Sequence, residues 1–539
     1  MRQPVSRASR TWLKVFGLAA LPMVGFWLYG LTDMDEGFYG AVVAEMNRRA
    51  EWITPIYNGK PWFEKPILLY WLTKPSLALF GGEFGLRLPS VLATLALYAV
   101  VAWFVNRRVS TRAAQWSVLV LGTSLLTVAI GRMVMTDALL CLCLSAALLT
   151  FYESLVGDRR WRLASAFLLG LSVLAKGPVG CALFALIVAV TYWREAGLRS
   201  AFRGWWAAGI GIFIATVACW YMPAYLTNGD AFVQEFLVKQ NLQRFAGGDA
   251  AHTLHGPAGW FFYVPILIAG TLPWTFWIWP ALKGRGTSEE GRATVEAGAE
   301  DTDERRGATD AGVLDTERNR GCEPSAAGRE WQSVSRFLIT WAVVVILFFS
   351  AAGAKLIHYV LPAIPPLAIL VGGYWSRRER RRPSYGVPCG AAVAAVVLCI
   401  AVNVGMVAWD RGMFKGSAPE VQARAFANEV RILLASHPDA GVAIYKMGRQ
   451  SKDMGTGKLK VQETNLPSLL FYLDLDVLET DDFGAVLQAP RPLYILTRAG
   501  RIGGAETQSA AGCLKEAEST DFFALWVLEP KPHIRGSRL

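Results

Sequence analysis

Histidine is scarce in this chain, with five among 539 residues, and charged residues make up only 18% of it. The eight cysteines contain no CxxC pair. Cys141, Cys143, Cys181, Cys219 and Cys399 lie inside apolar runs and Cys389 sits at the edge of one, so a disulfide framework is excluded. No Gly-rich nucleotide-binding loop is present, so no nucleotide cofactor is expected. The basic start "MRQPVSRASRTWLK" leads into an apolar run that ends without a small-x-small cleavage site, which favours a retained helix over a signal peptide. The net charge of +11 is spread over short loops between apolar runs, so nucleic acid is not an expected partner.

What the chain has in quantity is apolar sequence. Hydrophobic residues make up 53% and Trp numbers 21, a composition rare in soluble proteins and ordinary in polytopic membrane proteins. About eleven apolar spans are predicted, over 12–31, 88–105, 113–131, 138–156, 163–175, 178–193, 206–226, 260–281, 336–353, 357–375 and 386–409. The interrupted piece "PILLYWLTKPSLALFGG" reads as juxtamembrane or re-entrant. Arginines gather in alternate loops: at Arg2, Arg7 and Arg10, at Arg107, Arg108 and Arg112, at Arg159, Arg160 and Arg162, at Arg194, Arg199 and Arg203, and over Ser376 to Arg382. By the positive-inside rule these loops are cytoplasmic, so the N-terminus is inside and, with an odd number of spans, the C-terminus is outside. The polar stretch 283–332 reads as a disordered cytoplasmic insert. From 410 to 539 the composition turns soluble. A helix over "PEVQARAFANEVRILLASH" and strands at "GVAIYKM", "RPLYILTR" and "FFALWVLEP" predict a small mixed α/β domain on the outer side.

Charges near membrane spans are costly and mark function. With this topology the outer ends collect Asp35, Glu36, Glu64, Lys65, Asp137, Lys176, Arg244, His252, His255, Lys355, His358 and Tyr359. In "DMDEGFYGAVVAEM", Asp33 and Glu36 have capping-box spacing, and Phe38, Ala41, Val42 and Met46 share one helical face. An amphipathic helix lying on the membrane is expected, with Asp35 and Glu36 in its first turn; plain N-terminal capping is the simpler alternative. Glu64 and Lys65, as chain neighbours, are expected to face different partners. His252 and His255 could share a metal with a carboxylate such as Glu64, or form ordinary hydrogen bonds. Prolines 362, 365 and 366, after Lys355, His358 and Tyr359, are expected to break a helix and open a cavity.

Together "DMDEGFYGAVVAEM", "WITPIYNGKPWFEKPILLYWL", "GLRLPSVLATL", "GRMVMTDALL", "LAKGPVG", "NLQRF", "HGPAGWFFYVPILIAGTLPW" and "AKLIHYVLPAIPPLAIL" resemble, in order and spacing, bacterial glycosyltransferase family 39 of the C-type superfamily. Within that family the pattern is most similar to the 4-amino-4-deoxy-L-arabinose transferases of lipid A. The resemblance runs from Asp33 to about Leu370 and leaves the insert without a counterpart.

The resemblance implies a polytopic C-type fold with about 11–13 membrane helices, a polyprenyl phosphate sugar as donor, and an inverting transfer on the periplasmic face of the bacterial inner membrane. It implies a domain layout of a membrane domain over 1–409, with juxtamembrane helices at 33–86, followed by the periplasmic domain. It implies catalytic roles for Asp35, Glu36 and Asp137, and donor-phosphate binding by Lys65 and Arg244. A pocket of Tyr359, Lys355 and Lys176 follows, and a divalent metal such as zinc on Glu64 with His255, or His252 in its place. The acceptor is an envelope component, lipid A among them. Rival readings are a mannosyl-type transferase to protein or glycan with the same donor class, and a flippase or transporter of lipid-linked sugars. Against the flippase, the hydropathy has no inverted repeat and the charges gather on one side.

Overall fold

The computed structural model describes residues 7–32, 35–195, 207–243, 257–283, 326–380, 389–413, 418–447, 466–510, 512–520 and 523–530. Fifteen helices of the membrane part and its juxtamembrane layer are labelled here: α1 Arg7–Ala20, α2 Asp35–Arg48, α3 Leu68–Phe80, α4 Gly82–Arg108, α5 Thr111–Gly122, α6 Leu125–Gly131, α7 Thr136–Val156, α8 Trp161–Lys176, α9 Val179–Arg194, α10 Ala207–Asn228, α11 Tyr263–Gly270, α12 Thr275–Lys283, α13 Ala326–Ala351, α14 Ile364–Arg380 and α15 Cys389–Asp410. Each predicted span contains helix, and the first, 12–31, is helical only in its first half. Among the described residues six helical stretches are long and apolar enough to cross a bilayer alone, and up to eight if the bent pairs α5–α6 and α11–α12 each count as one span. The two pairs bend by 63° and 105°.

The first predicted span departs from expectation. Helix α1 stops at Ala20, a 3₁₀ turn covers Leu21–Met23, and Gly25 adopts φ +83°. Pro22 has no N–H to continue the ladder, so the chain turns. Arg132, buried, donates to the carbonyls of Pro22 at 2.6 Å and Val24 at 2.9 Å and to Asn403 Oδ1 at 2.9 Å, which pins this turn to α15.

The outer domain comprises α16 Ala418–Ser436, α17 Pro467–Leu473, two one-to-two-turn helices at Phe483–Gln488 and Gly504–Ser509, and a five-stranded sheet. With a small hairpin of β1 Ile56–Tyr57 and β2 Lys60–Pro61 preceding it, the sheet strands are β3 Gly441–Tyr445, β4 Leu478–Thr480, β5 Leu493–Arg498, β6 Leu514–Ser519 and β7 Phe523–Leu528. Their order is β4-β3-β5-β7-β6, with β3 parallel to β4 and β5, and β7 antiparallel to β5 and β6. Strands β4 and β6 were not predicted: β4 has three residues and β6, "LKEAES", is exposed beyond its first residue, so neither carries an apolar run.

Alternation in the central strands makes two apolar faces. Ala443, Tyr445, Leu493 and Ile495 pack under the sheet's own short helices. Val442, Ile444, Tyr494 and Leu496 join a core that continues through Phe426, Val430, Leu469 and Leu470 into Tyr39, Val42, Val43 and Met46 of α2. The outer domain therefore shares a core with the juxtamembrane layer. This also corrects the expected surface helix: α2 is buried from Glu36 to Met46 apart from Phe38, between α3 and α17, instead of lying half-exposed on a membrane.

The polar insert overlaps described structure only at its ends. Residues 284–325 lie outside the described residues, whereas 326–332, assigned to the insert, form the start of α13, with Trp331 buried.

Candidate active site

Asp35 opens α2 and is exposed; Glu36, the next residue, is fully buried. Its carboxylate accepts from Arg87 Nε at 2.8 Å and Nη2 at 2.7 Å, from the Val134 amide at 2.9 Å, and from the Thr32 amide at 3.1 Å and hydroxyl at 2.8 Å. Burial raises the carboxyl's pKa, but the Arg87 charge and these donors more than reverse it, and hold it below the usual range. Glu36 is thus a positioning residue, which corrects its catalytic assignment: both oxygens are occupied and none is accessible. Arg87, also 0% exposed, gives its remaining donors to the carbonyls of Phe26 at 3.0 Å, Tyr29 at 2.8 Å and Gly30 at 2.8 Å. Arg87 lies in the "GLRLPSVLATL" stretch, but sequence alone carried no sign that it was Glu36's partner. Asp33 lies outside the described residues.

The turn at Val134 leads into α7, whose first turn carries Asp137, 2% exposed. Asp137 Oδ1 is ion-paired with Lys176 Nζ from the end of α8, and Oδ2 lies 3.8 Å from His358 Nε2. Lys176 also sits over the Tyr359 ring, 4.6 Å from its centroid, and the rings of His358 and Tyr359 meet edge-on at 5.0 Å. His358 and Tyr359 come from a 3₁₀ turn, Ile357–Ala363, forced ahead of α14 by Pro362, which is the helix break expected there. Asp35 and Lys65 lie close enough to bear electrostatically on Lys176 and His358. Asp137 is therefore in the cluster, as the anion that pairs with Lys176 and faces the His358 imidazole.

Glu64 and Lys65 do not face apart as predicted; Lys65 Nζ pairs with Glu64 Oε1 at 3.0 Å, both part-buried. Lys355 is a second correction. Its ammonium is buried against the carbonyls of Ser350 at 2.7 Å and Ala352 at 2.8 Å, where it caps the end of α13 and takes no part in a pocket. Arg244, His252 and His255 lie outside the described residues. Of the expected metal ligands only Glu64 is described, and among the described residues no three His, Cys, Asp or Glu side chains are grouped to hold a metal. No step below runs through one.

Three tyrosines escaped the sequence reading. Tyr39 stands one turn beyond Asp35, and burial, then the charges of Asp35 and Glu64, push its phenol well above its ordinary pKa, so it remains a donor. Tyr70, fully buried, has its ring 6.2 Å from that of Tyr39 and feels the Glu64 charge. Tyr263 lies within electrostatic reach of Asp137 and Tyr359. The i, i+4 spacing from Asp35 was the available signal for Tyr39; nothing comparable existed for the other two.

The assembled site has one exposed carboxylate, two carboxylate–lysine pairs, an imidazole and several phenols, all at one end of the bundle. Such a set can bind an anion, oppose positive charge and move a proton.

A family model described as dolichyl-phosphate-mannose-protein mannosyltransferase matches residues 64–222. The undecaprenyl phosphate-alpha-4-amino-4-deoxy-L-arabinose arabinosyl transferase of Shewanella sediminis is 29% identical over 402 residues, 70% of this chain and 62% of the relative. A protein of the same description from Sodalis glossinidius is 28% identical over 444 residues, 77% of this chain and 69% of the relative. The chain thus spans less than two thirds of the length of the Shewanella relative. The crystal structure of ArnT from Cupriavidus metallidurans bound to undecaprenyl phosphate superposes with a TM-score of 0.69 at 19% identity, covering 96% of this chain and 99% of that one. Its apo form gives 0.64. The fold is that of the ArnT crystal structures.

Proposed function

We propose that this chain, a C-type glycosyltransferase by fold and similar in sequence to aminoarabinose transferases, moves a sugar from a polyprenyl phosphate to an envelope acceptor. It sits in the bacterial inner membrane with the site on the periplasmic side. Aminoarabinose as the sugar and a lipid A phosphate as the acceptor are the most specific form of this reading. The observation that carries it is the clustering of Asp35, Glu64–Lys65 and Asp137–Lys176–His358 at one end of a membrane bundle, where the head of a lipid-tailed donor must lie.

In this reading Lys65, with Arg244, binds the donor phosphate and stabilises charge as the glycosidic bond breaks. Lys176, held by Asp137, adds positive charge to the same anion, and Tyr359 supports Lys176. Asp35 removes the proton from an acceptor hydroxyl, or, where the acceptor is a phosphate already ionised, opposes positive charge developing on the sugar. Single displacement inverts the anomeric centre. A divalent metal on Glu64 and His255, or His252, remains a proposal on the resemblance alone.

The test is transfer of radiolabelled sugar from synthetic polyprenyl phosphate sugars, in detergent, to extracted lipid A, with mass spectrometry of the product. Label on lipid A supports the specific reading. Label on a protein or another glycan supports the mannosyl-type alternative, which the family model's description favours. No product in detergent, with intact donor moved between leaflets once the protein is reconstituted in vesicles, would identify a flippase and end the proposal.

A further inference from the structure

We propose that the outer domain acts on the reaction, through Tyr472 of α17, by fixing the turn that carries Asp35. The proposal rests on the role given to Asp35 above. The approach to α2, from Phe26 to Leu31, is held from two directions. Its carbonyls face Arg87 of the membrane domain, as described. Its amides face the end of α15 and the outer domain: Gly30 N–H donates to Asp410 Oδ1, the last residue of α15, at 2.8 Å and Leu31 N–H to the Tyr472 hydroxyl of α17 at 2.8 Å. That hydroxyl in turn donates to Glu83 Oε1 at 3.0 Å in the first turn of α4, and Arg424 of α16 holds Asp410 at 2.9 Å. Both sides of the phenol are therefore in use, and it ties three segments together. Burial and the Glu83 charge raise its pKa, so it stays protonated and keeps donating.

The approach is close, and a side chain at Gly30 would push on the residues that hold it. A Cβ on Gly30 would fall 2.2 Å from Arg424 Nη1 and 3.0 Å from the Tyr472 hydroxyl. Beside it, Phe471 packs on Gly40 of α2, where a Cβ would lie 3.4 Å from Cγ. At the far end of α2, Arg48 pairs with Asp474 at 3.2 Å and Asp476 at 2.6 Å, and Arg49 with Asp476 at 2.7 Å. Those exposed ion pairs contribute little alone. Their place matters more: the short helix α17 and the residues after it grip both ends of α2.

A domain that only docked would need one face of α2. It would not need a hydrogen bond to the Leu31 amide ahead of the acidic turn, nor Arg424 on the Asp410 carboxylate that holds the Gly30 amide. Displacement of a reacting group by ~1 Å can cost on the order of 100-fold in rate. Loss of one of several anchors displaces it less, so Tyr472→Phe should lower kcat about tenfold and leave donor KM within about twofold.

The experiment is a double-mutant cycle in the full-length protein. Tyr472→Phe is made alone and in the Asp35→Asn background, and turnover is read together with amide hydrogen exchange across residues 31–39. The expected result is a lower kcat in the wild-type background, no further loss on Asp35→Asn, and faster exchange at Leu31. Equal losses in both backgrounds, or wild-type turnover in Tyr472→Phe, would overturn the proposal. So would unchanged exchange, which sinks it without touching the reading of Asp35. Wild-type activity of Asp35→Asn would instead remove that reading and this proposal with it. Where Tyr472→Phe fails to fold, Glu83→Gln removes the charge of the phenol's acceptor while keeping its shape, and the same three outcomes apply.

Discussion

Asp35 and Glu36 are neighbours in sequence, and their substitutions should have opposite consequences. Glu36 and Arg87 are both fully buried, and the carboxylate has five donors around it. Glu36→Gln removes the charge that compensates Arg87 and turns one acceptor into an NH₂ facing other donors. Breaking a buried pair from one side costs about 3–5 kcal/mol, a factor of roughly a hundred to several thousand in the folding equilibrium. Asp35 is exposed at the first turn of a helix, where Asn serves nearly as well, so Asp35→Asn should change stability by less than about 0.5 kcal/mol. Loss of its action as a base, or as the charge opposing the developing positive sugar, should lower turnover about 100-fold or more. The assay is thermal unfolding in detergent alongside turnover per folded molecule. Glu36→Gln should unfold earlier, while Asp35→Asn unfolds as wild type but turns over slowly. Wild-type turnover in a stable Asp35→Asn protein would reject the catalytic role and leave capping as the function of that residue. Wild-type stability of Glu36→Gln would refute the clamp.

Lys65→Ala should raise donor KM more than it lowers kcat, because it removes a phosphate contact; an unchanged KM in steady-state transfer assays would argue against donor binding at that lysine. Replacing residues 286–324 by a short Gly/Ser linker should keep transfer activity, since their polar composition reads as a cytoplasmic insert on the face away from the site; complete loss in a folded protein would contradict the topology. In the outer domain, the Glu429 carboxyl is raised to about 7 by its hydrogen bond to Glu518, by burial and by that group's charge. A carboxyl raised on folding favours the folded state below its unfolded pKa, and the advantage is lost as pH climbs through about 7. Thermal scans at pH 5 and pH 8 should therefore show a loss of stability that Glu429→Gln reduces; an equal loss in both proteins would refute the coupling.

The helices were legible because bilayer-length apolar runs leave few alternatives, and every predicted span holds helix over at least part of its length. Where the ends were misjudged the cause is local. Pro22 stops α1 inside a run that hydropathy treats as continuous, and the arginines before α13 hide that its first turns already pack, with Trp331 buried. The site was legible as a list of charged residues at outer ends, but not as pairs. Whether Lys355 faces a pocket or caps its own helix depends on where the chain turns after Ala352, which no pattern encodes. The same holds for Arg87, whose partner lies 51 positions away. The burial of α2 on both sides depends on α17, more than 400 residues later, so its sequence resembled a half-exposed helix.

The pairing explains why an acidic dipeptide leads the helix. Consecutive residues of an α-helix point about 100° apart. In the first turn of α2 that places one carboxylate toward α4 and the other toward solvent at the end of the bundle. A charge in the interior is tolerated when it is paired and hydrogen-bonded. Glu36 meets both conditions through Arg87, and in doing so links the approach strand, α4 and the turn three residues ahead of Asp137. The buried carboxylate thus sets the spacing between the acidic turn of α2 and the Asp137–Lys176 pair, while its exposed neighbour is left to meet a substrate. Neither residue could exchange roles with the other, because Asp is one methylene too short to span from Thr32 to Arg87 and Val134 together. Asp35→Glu with Glu36→Asp should accordingly lose both stability and turnover.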